Sequence, residues 1–593
     1  MRVLLLHPED SARCGPWAKQ KWDLIVDLGK SPSTSAAESQ EQTHCPIVRA
    51  NSFRRVVEDL RTIREMFSIG RRRLLDEEGI DWWDLTSLVV APQMEDALVL
   101  RRLASEIKPN AEIWSTRAGW PCSAFPCLLK CQLRTFSGHP LSRWVERSSH
   151  YAQLFRRFSA GQIKQIFFDK YDAGYRWRSR FAPTTKPLSE SAVLLPSAYE
   201  NVSRMAASYA RVLPEQMFLL VATRQSARKF IQPENLQVRD LAAYGKGLSP
   251  LRETALILAN WERLKPELKA AALEFEVLLS AGVFDPFPQW FRDCLRARDA
   301  WRGVIEREPI TGVLCGDDSN IYTRLPVLLA AKRKIPTVDF HHGALDGRYL
   351  LKSLPCDAYL AKSEMERDYL VRVCGLPPER LFDAAPPRNP SPRNPSRLNE
   401  KRMPGRSAIL FSEPYGNDGL RAEEVYREIL LPLCGVSRET GHDVIVKLHP
   451  FESASERKRL LRSLLSPQDF RLVTVVDGPT TPELFSRAWF GITIESTTVL
   501  ECLSVGVPCF LCGWLSLSSY AYGAQYARFG IGEVLRRAEE IGEIPRRLAR
   551  FHGAVNPPQE FGNVVSAKQL RQLLTLGPQA LENEKRISES ARL

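Results

Sequence analysis

The sequence predicts an α/β protein made of three Rossmann-like, doubly wound modules. Short β-branched runs recur along the chain, and each is followed by a polar loop and then by apolar residues at helical spacing. The length of 593 residues corresponds to about three to four domains of roughly 100–200 residues each. Hydrophobic residues make up 44% of the chain and charged residues 25%, which excludes a mostly disordered protein.

The predicted strands fall into three sets of five, one set for each module. The first set is Val3–Leu6, Leu24–Asp27, Ser87–Ala91, Glu112–Ser115 and Gln165–Asp169; the second is Ala192–Leu195, Phe218–Ala222, Gly312–Cys315, Thr337–Phe340 and Ala358–Leu360; the third is Ala408–Phe411, Asp443–Lys447, Leu472–Val476, Phe490–Ile494 and Pro508–Cys512. Strands that alternate with helices in this way form parallel sheets.

Proline is dense around residues 183–187 and 386–404, and we expect the modules to end there. The predicted domains are an N-terminal basic α/β module at 1–186, a middle module at 187–395 with a helical insertion at 250–308, a linker at 396–404, a C-terminal module at 405–560 and a helical tail at 561–593. The insertion carries an apolar stripe at helical spacing, which is typical of core packing.

The positive charge of the chain is concentrated in one segment. The chain has 82 Lys and Arg against 69 Asp and Glu, a formal net charge of +13, and 101–186 holds 16 basic and 5 acidic residues, a local +11. Arginines interleaved with aromatic residues are typical of single-stranded nucleic-acid binding, of an anionic membrane surface, or of a solvated face. No nucleic-acid-binding motif is present, so we predict an anionic membrane surface as the partner of 101–186 and no nucleic acid.

Neither the cysteines nor the apolar runs indicate secretion or a membrane span. The 13 cysteines are odd in number and show no disulfide framework, which favours thiols in a reducing cytoplasm. The longest uncharged run, Cys502–Ala527, is broken by Gly506, Pro508 and Gly513. We therefore predict a cytoplasmic protein, located peripherally at the inner face of the plasma membrane.

Polar residues that follow two strands of the last module indicate a phosphate site, because doubly wound sheets bind ligands outside the carboxyl ends of their strands. One segment presents an imidazole before a helix start, and the other presents hydroxyls and N–H groups at a helix start. Each segment alone is also typical of an ordinary loop or helix cap, but the pair in one module favours an anion site. The residues concerned are Lys447, His449 and Pro450 in the first segment and Ser496, Thr497, Thr498 and Glu501 in the second.

The pattern Lys447-Leu-His-Pro450, then an apolar helix, then Glu495-Ser-Thr-Thr-x-x-Glu501-x-x-x-x-Gly506-x-Pro508 resembles the C-terminal half of GT-B glycosyltransferases. The similar enzymes are bacterial surface-polysaccharide enzymes: capsule Kdo-transferases, sialyltransferases and CDP-glycerol glycerophosphotransferases. The resemblance covers 407–514 well and the middle module loosely, and the first module has no counterpart. It implies that the last two modules form a GT-B-type pair, and that His449 and the Ser496–Thr498 hydroxyls contact the donor phosphates.

The general base remains open among five residues of the middle module. A strand there ends in His341, His342 and Gly343, which also resembles the family, and a histidine can accept the proton of an acceptor hydroxyl. The competing carboxylates are Asp346 and the pair Asp317 and Asp318; that pair is also able to cap a helix or bind a divalent cation. We predict no metal, since GT-B enzymes usually bind the donor without one.

Two further loops follow the first strands of the last and middle modules. Ser412 and Gly416 are expected on the donor side, and Ser197, Tyr199 and Asn201 on the acceptor side. Either loop is equally typical of a plain connection between a strand and a helix.

The resemblance implies a glycosyltransferase that builds a bacterial cell-surface polysaccharide or glycolipid. Its substrates are expected to be a CMP-, CDP- or UDP-linked donor and a glycan or lipid-linked acceptor, with no cofactor. Two alternatives stay open: a hydrolysing nucleotide-sugar epimerase, and a non-catalytic nucleotide-binding scaffold of a polysaccharide assembly system.

Overall fold

The structure is a computed structural model of the 593-residue chain. It describes residues 1–8, 10, 16–29, 45–136, 186–228, 230–245, 251–316, 320–341, 343, 356–385, 405–413, 415, 422–449, 452–478, 480–515, 525–526, 528–550 and 564–577. The structural statements below concern these residues.

The described strands belong to three sheets. The first sheet contains β1 (Arg2–Leu6), β2 (Leu24–Asp27), β3 (Ile47–Arg49), β4 (Glu112–Ser115) and β5 (Leu133–Thr135); the second contains β6 (Ala192–Ser197), β7 (Met217–Ala222), β8 (Leu236–Asp240), β9 (Ile310–Cys315), β10 (Thr337–Phe340), β11 (Ala358–Ala361) and β12 (Leu381–Asp383); the third contains β13 (Ser407–Phe411), β14 (Asp443–Lys447), β15 (Val473–Val476), β16 (Ala488–Thr493), β17 (Cys509–Cys512) and β18 (Glu533–Leu535).

Every strand pairing within the three sheets is parallel. The strand orders are β3-β2-β1-β4-β5, β12-β11-β10-β9-β6-β7-β8 and β15-β14-β13-β16-β17-β18. In each sheet the first strand of the chain lies next to the fourth, so the order reverses between them. The prediction of an α/β protein with three doubly wound, Rossmann-like modules is confirmed.

Helices occupy most of the described connections between the strands. They are α1 (Val56–Phe67), α2 (Trp82–Ala104), α3 (Phe125–Leu129), α4 (Glu200–Ala210), α5 (Leu251–Ala271), α6 (Leu273–Ser280), α7 (Phe287–Arg307), α8 (Ile321–Lys332), α9 (Glu364–Arg372), α10 (Ala422–Thr440), α11 (Ala454–Leu464), α12 (Pro467–Leu472), α13 (Pro482–Arg487), α14 (Thr498–Ser504), α15 (Ile544–Arg550) and α16 (Ala567–Thr575). Three of them, α5 to α7, fill the connection between β8 and β9.

One predicted strand is wrong: residues Ser87–Ala91 lie inside helix α2. The run is apolar and β-branched, but apolar residues continue at helical spacing on both sides of it, from Trp82 to Leu103. A buried helix segment cannot be told from a strand by the run alone. The Thr86 hydroxyl donates to the carbonyl of Trp82 one turn earlier, at 2.8 Å. The predicted strand Gln165–Asp169 lies outside the described residues.

The strands that the sequence did not reveal all lie at sheet edges. They are β3 and β5 in the first sheet, β8 and β12 in the second, and β18 in the third. Edge strands are short and half solvated, and β3 for example spans only Ile47–Arg49 with no fully buried residue. They therefore lack the continuous apolar run that marks a central strand.

The central strands of the third sheet are buried on both faces. All five residues of β13 are buried, and Leu410 pairs in register with Val446 on one side and Ile492 on the other. Parallel sheets covered by helices on both faces have such continuous apolar strands, which explains why the sequence shows runs here rather than alternation.

The chain forms two compact units, and residues 60–94 belong with the middle sheet. The first unit contains the described residues of Met1–Asp59, Glu95–Arg157 and Pro392–Pro558; the second contains those of Leu60–Met94, Phe158–Ser391 and Gln559–Leu593. In the second unit the buried Arg298 donates to Asp76 at 2.8 Å and to Glu253 at 2.5 and 2.6 Å. The predicted domain boundaries stay predictions.

The described part of the chain adds three facts about charge, thiols and helices. Arg102 pairs with Asp59, Arg117 with Asp10 and Arg134 with Glu112, so these arginines of the basic segment are already neutralised. The cysteines within the described ranges are free thiols. None of the helices described combines the length and the apolar character that a membrane span requires.

Candidate functional site

The candidate site lies at the carboxyl edge of the third sheet. β14 ends at Lys447 and β16 ends at Thr493, and both strands pair with β13. Because neighbouring strands lie about 4.8 Å apart, the loops after β14 and β16 begin about 10 Å from each other. The two motifs around His449 and Ser496 therefore meet at one edge, with the loop after β13 between them.

Lys447 links the two motifs electrostatically. Its ammonium group is buried and donates to the carbonyl oxygen of Leu448 at 2.7 Å. Burial lowers the pKa of Lys447, while the charges of Asp477, Glu452 and Glu501 oppose that shift. Since Glu501 lies on α14, which follows the Ser496 loop, the lysine and this helix act on each other across the edge of the sheet.

Glu452 holds the backbone of His449 in place. The His449 N–H donates to Glu452 Oε2 at 2.9 Å, and the Glu452 N–H donates to the His449 carbonyl at 2.9 Å. Oε1 of Glu452 accepts from Arg457 Nε at 2.7 Å and from the Tyr426 hydroxyl at 3.3 Å. Burial lowers the pKa of His449, so near neutral pH its imidazole is uncharged and offers one N–H donor and one acceptor.

Ser412 belongs to the same hydrogen-bond network. Its hydroxyl lies 2.7 Å from the Tyr426 hydroxyl, and its N–H donates to the carbonyl of Lys447 at 2.9 Å. The ring of Tyr426 lies edge-on to the buried Tyr415, with ring centroids 5.5 Å apart. Ser412 is expected from the sequence on the donor side. In the structure its hydrogen bonds tie the start of the loop after β13 to Tyr426 and to the end of β14.

Glu413 occupies backbone amides at the place where the sequence predicts a phosphate. Its Oε1 accepts from the N–H groups of Ile494 at 3.0 Å, Glu495 at 2.8 Å and Ser496 at 3.1 Å, and from the Thr493 hydroxyl at 2.8 Å. Successive N–H groups of this kind form an anion-binding nest, and the protein's own carboxylate fills it. Burial raises the pKa of Glu413, and the four donors oppose this shift.

The hydroxyls at the start of α14 lie beyond that nest. Ser496 Oγ lies 2.9 Å from Thr498 Oγ1 and accepts from the Thr498 N–H at 3.3 Å. Thr497 stands at the position before the helix, and its side chain forms no capping bond to the helix backbone. A phosphate at this edge would therefore meet the side chains of Ser496, Thr497 and Thr498 rather than the amides that Glu413 occupies.

Several predicted site residues lie outside the described ranges, namely His342, Asp317, Asp318, Asp346, Pro450 and Gly416. Their roles stay predictions. His341 is described: it follows β10 and is 8% exposed. No group of three or more His, Cys, Asp or Glu side chains within the described ranges is placed to hold a metal ion.

The three residues predicted on the acceptor side differ in their surroundings. Ser197 is buried, and its hydroxyl lies 2.8 Å from the Ser203 hydroxyl. Asn201 is exposed and accepts from Arg204 Nη2 at 3.1 Å. Tyr199 is half-buried, and its hydroxyl accepts from Asn320 Nδ2 at 3.3 Å. Of the three, only Tyr199 joins the loop after β6 to the loop after β9 through its side chain within the described residues.

Sequence reasoning missed Glu413 and Glu452, the two carboxylates that hold the site together. Each of the two glutamates had a weak signal in the sequence, namely its spacing from a predicted strand or from His449. Glu413 comes two residues after a buried strand, and Glu452 stands three residues after His449. A glutamate in a loop is usually solvated, so neither spacing reveals that backbone N–H groups surround the side chain.

No protein-family model matches the chain, and no curated protein sequence matches it. Solved structures that match include the UDP-GlcNAc 2-epimerase of Methanocaldococcus jannaschii, with a TM-score of 0.40 and 13% identity over 65% of this chain and 99% of that one. The calicheamicin glycosyltransferase CalG4 matches with a TM-score of 0.36 and 14% identity over 68% and 98%. A variant of the wall teichoic acid polymerase TagF matches with a TM-score of 0.36 and 10% identity over 76% and 100%.

These solved structures are GT-B-fold proteins, the fold that the motif resemblance implies.

Proposed function

We propose that the protein is a glycosyltransferase that uses a nucleotide-activated sugar donor. The observation that carries the proposal is the meeting of Lys447 and His449 with the Ser496–Glu501 segment at the carboxyl edge of one parallel sheet. This edge is where doubly wound sheets bind phosphate-bearing ligands. The resemblance of the motifs to GT-B glycosyltransferases supports the assignment of this phosphate to a nucleotide-linked donor.

In the proposed reaction the donor phosphate lies against His449 and the hydroxyls of Ser496, Thr497 and Thr498. The acceptor oxygen forms a bond to the anomeric carbon as the bond from that carbon to the phosphate oxygen breaks, and the phosphate leaves with the electron pair. The charge that develops on it is stabilised by these donors and by Lys447.

The proton of the acceptor hydroxyl passes to a base of the middle module. The candidates for this base are His341, His342, Asp317, Asp318 and Asp346. We propose a CMP-, CDP- or UDP-linked donor and a glycan or lipid-linked acceptor of a cell-surface polysaccharide, with no further cofactor; the motif resemblance supports this finer assignment.

Binding of a nucleotide tests the donor site. A ligand that binds only the native state raises its stability, so we expect one of CMP, CDP, UDP and GDP to raise the melting temperature of the full chain selectively. His449→Gln should abolish that shift. His442→Gln is the matched control, because His442 immediately precedes β14 at its opposite end and stacks on Trp489 with ring centroids 3.9 Å apart.

Product analysis separates the proposal from its alternatives. With donor sugar and no acceptor, a hydrolysing epimerase releases a free altered sugar, whereas a glycosyltransferase requires an acceptor. Selective nucleotide binding without turnover on any acceptor favours the scaffold. If His449→Gln leaves both the nucleotide shift and turnover unchanged, the site assignment is wrong.

We further propose that the basic segment 101–186 holds the protein at an anionic membrane surface. Three of its described arginines pair with carboxylates, so the attraction depends on residues 137–185, which hold nine basic and three acidic residues. Flotation with liposomes tests it: equal recovery with neutral and with anionic lipid overturns the proposal.

A further inference from the structure

At the carboxyl edge of the second sheet lies an arginine, Arg224, that forms no ion pair with any acidic residue in the described part of the chain. β6 and β9 are neighbours there, and the strand order reverses between them, which is where such sheets bind ligands. Tyr199 follows β6, Arg224 follows β7 and Asn320 follows β9. All three side chains are partly exposed and belong to the same compact unit.

The guanidinium group of Arg224 is placed by stacking rather than by an ion pair. Its Cζ lies 5.0 Å from the centroid of the Tyr199 ring, and within the described residues it has no hydrogen bond or ion pair. Its neighbours differ, because Arg228 pairs with Asp240 at 3.4 Å and Arg239 pairs with Glu308. Among the described residues, no Arg224 nitrogen is a fully buried atom without a hydrogen bond, so the guanidinium remains open to water and to a ligand that replaces it.

We propose that Arg224 and Tyr199 form an anion-binding site for a phosphate or carboxylate group. That the anion belongs to the acceptor, and not to another ligand, rests on the proposed function. The Tyr199 ring holds the guanidinium carbon 5.0 Å from its centroid, and the N–H groups of an arginine can form a bidentate contact with two oxygens of a phosphate or carboxylate.

The hydrogen bonds around Tyr199 supply a second donor. Asn320 Oδ1 accepts from the Tyr322 N–H at 3.0 Å, so its Nδ2 is the group that donates to the Tyr199 hydroxyl at 3.3 Å. The Tyr199 hydroxyl has thereby used an acceptor position, and its own O–H remains to donate to an anion. Burial raises the pKa of Tyr322, a shift that the charge of Arg224 opposes, so a protonated phenol stands within electrostatic reach of the same arginine.

Calorimetric titration of the full chain at constant ionic strength tests this site. The probes are inorganic phosphate, glucuronate and, as the neutral control, glucose. We expect binding of phosphate, of glucuronate or of both, and none of glucose; the tighter of the two probes identifies the anion. Arg224→Met should weaken that binding about tenfold or more, since it removes a charge-assisted bidentate contact. Arg224→Lys should weaken it about threefold or more, because an ammonium cannot make the fork contact.

Arg263→Met is the matched control, because Arg263 is an exposed arginine of α5 in the same unit. It removes the same charge and should leave the affinity unchanged. If Arg224→Met does not fold, Arg224→Lys carries the test. Wild-type affinity in the Arg224 variants, or no binding of either anion to the wild type, overturns the site.

The nucleotide panel keeps the two proposals apart. Loss of anion binding in Arg224→Met, together with a nucleotide shift that persists, supports both. Anion binding that depends on Arg224 in a chain that binds no nucleotide retains the anion site and overturns the donor assignment.

Discussion

The second and third sheets have the same reversal of strand order, but the loops at their carboxyl edges are joined by different groups. In the third sheet a carboxylate, Glu413, accepts from three backbone N–H groups and the Thr493 hydroxyl and so joins the loop after β13 to the loop after β16. In the second sheet a neutral contact between Tyr199 and Asn320 joins the corresponding loops, and Arg224 lies over the Tyr199 ring and forms no ion pair with the acidic residues that the structure describes.

The difference shows that strand order fixes where a ligand can bind but not which charge it meets. At the third edge Glu413 already occupies three backbone N–H groups, so the proposed phosphate would have to contact side chains such as those of His449 and Thr497. At the second edge Arg224 forms no ion pair within the described residues, so the proposed ligand group there is an anion. The four predictions that follow probe this contrast.

Removal of the Glu413 carboxylate should have the largest effect. Glu413→Ala leaves three backbone N–H groups without their acceptor, whereas the Thr493 hydroxyl can still donate to the Phe411 carbonyl at 3.1 Å. We expect the free energy of unfolding to fall by about 3 kcal/mol or more. Glu413→Gln should lose less, because its amide oxygen can accept the same bonds. Urea denaturation measures both variants, and equal stability of Glu413→Ala and wild type would show that the third edge does not depend on an internal anion.

Loss of Glu452 should rank second. Glu452→Ala removes the acceptor of the His449 N–H, of Arg457 and of Tyr426, and we expect a loss of about 2 kcal/mol together with a weaker nucleotide-induced thermal shift. Glu423→Ala is the control, since Glu423 forms an exposed pair with Arg427 one turn along α10. A thermal shift that survives in Glu452→Ala would separate the position of His449 from nucleotide binding.

Loss of the hydrogen bond between Tyr199 and Asn320 at the second edge should lower the free energy of unfolding less than loss of the Glu413 carboxylate at the third edge. Tyr199→Phe keeps the ring under Arg224 and removes one hydrogen bond to Asn320, so we expect a loss of about 1 kcal/mol or less. The same variant should weaken binding of phosphate or glucuronate, since it removes a donor from the proposed anion site. A loss as large as that of Glu413→Ala would abolish the contrast between the two edges.

Central strands could be predicted from the sequence because burial on both faces imposes a continuous apolar run, as in Ile409–Phe411 and Val444–Val446. Edge strands such as Leu133–Thr135 could not, because their residues are half solvated and few. Ser87–Ala91 failed for a different reason: the length of an apolar segment, not its β-branched character, decides between a strand and a buried helix.

The positions of His449 and Ser496 at the carboxyl edge of the third sheet could be predicted, because each residue closely follows a strand of that sheet. Glu413 could not be recognised in the same way, because its role depends on the approach of a loop 81 to 83 residues further along the chain. Arg224 was missed for the complementary reason. What distinguishes it is its contact with the Tyr199 ring and, among the described residues, the lack of an ion pair, and neither can be read from positions along the sequence.

The smallest expected effect is a pH dependence that belongs to the third edge alone. Burial lowers the pKa of His449 from its usual 6.5, so between the two values the unfolded chain binds a proton that the folded chain does not. The stability contributed by His449 is therefore present above pH 6.5 and is lost as the pH falls below it through the folded-state pKa. His449→Gln should flatten this part of the curve of unfolding free energy against pH, measured by urea denaturation. Tyr199→Phe, which changes only the loop contact of the second sheet, should give a curve parallel to that of the wild type, and a flattened curve in that variant would mean that the two edges are not independent.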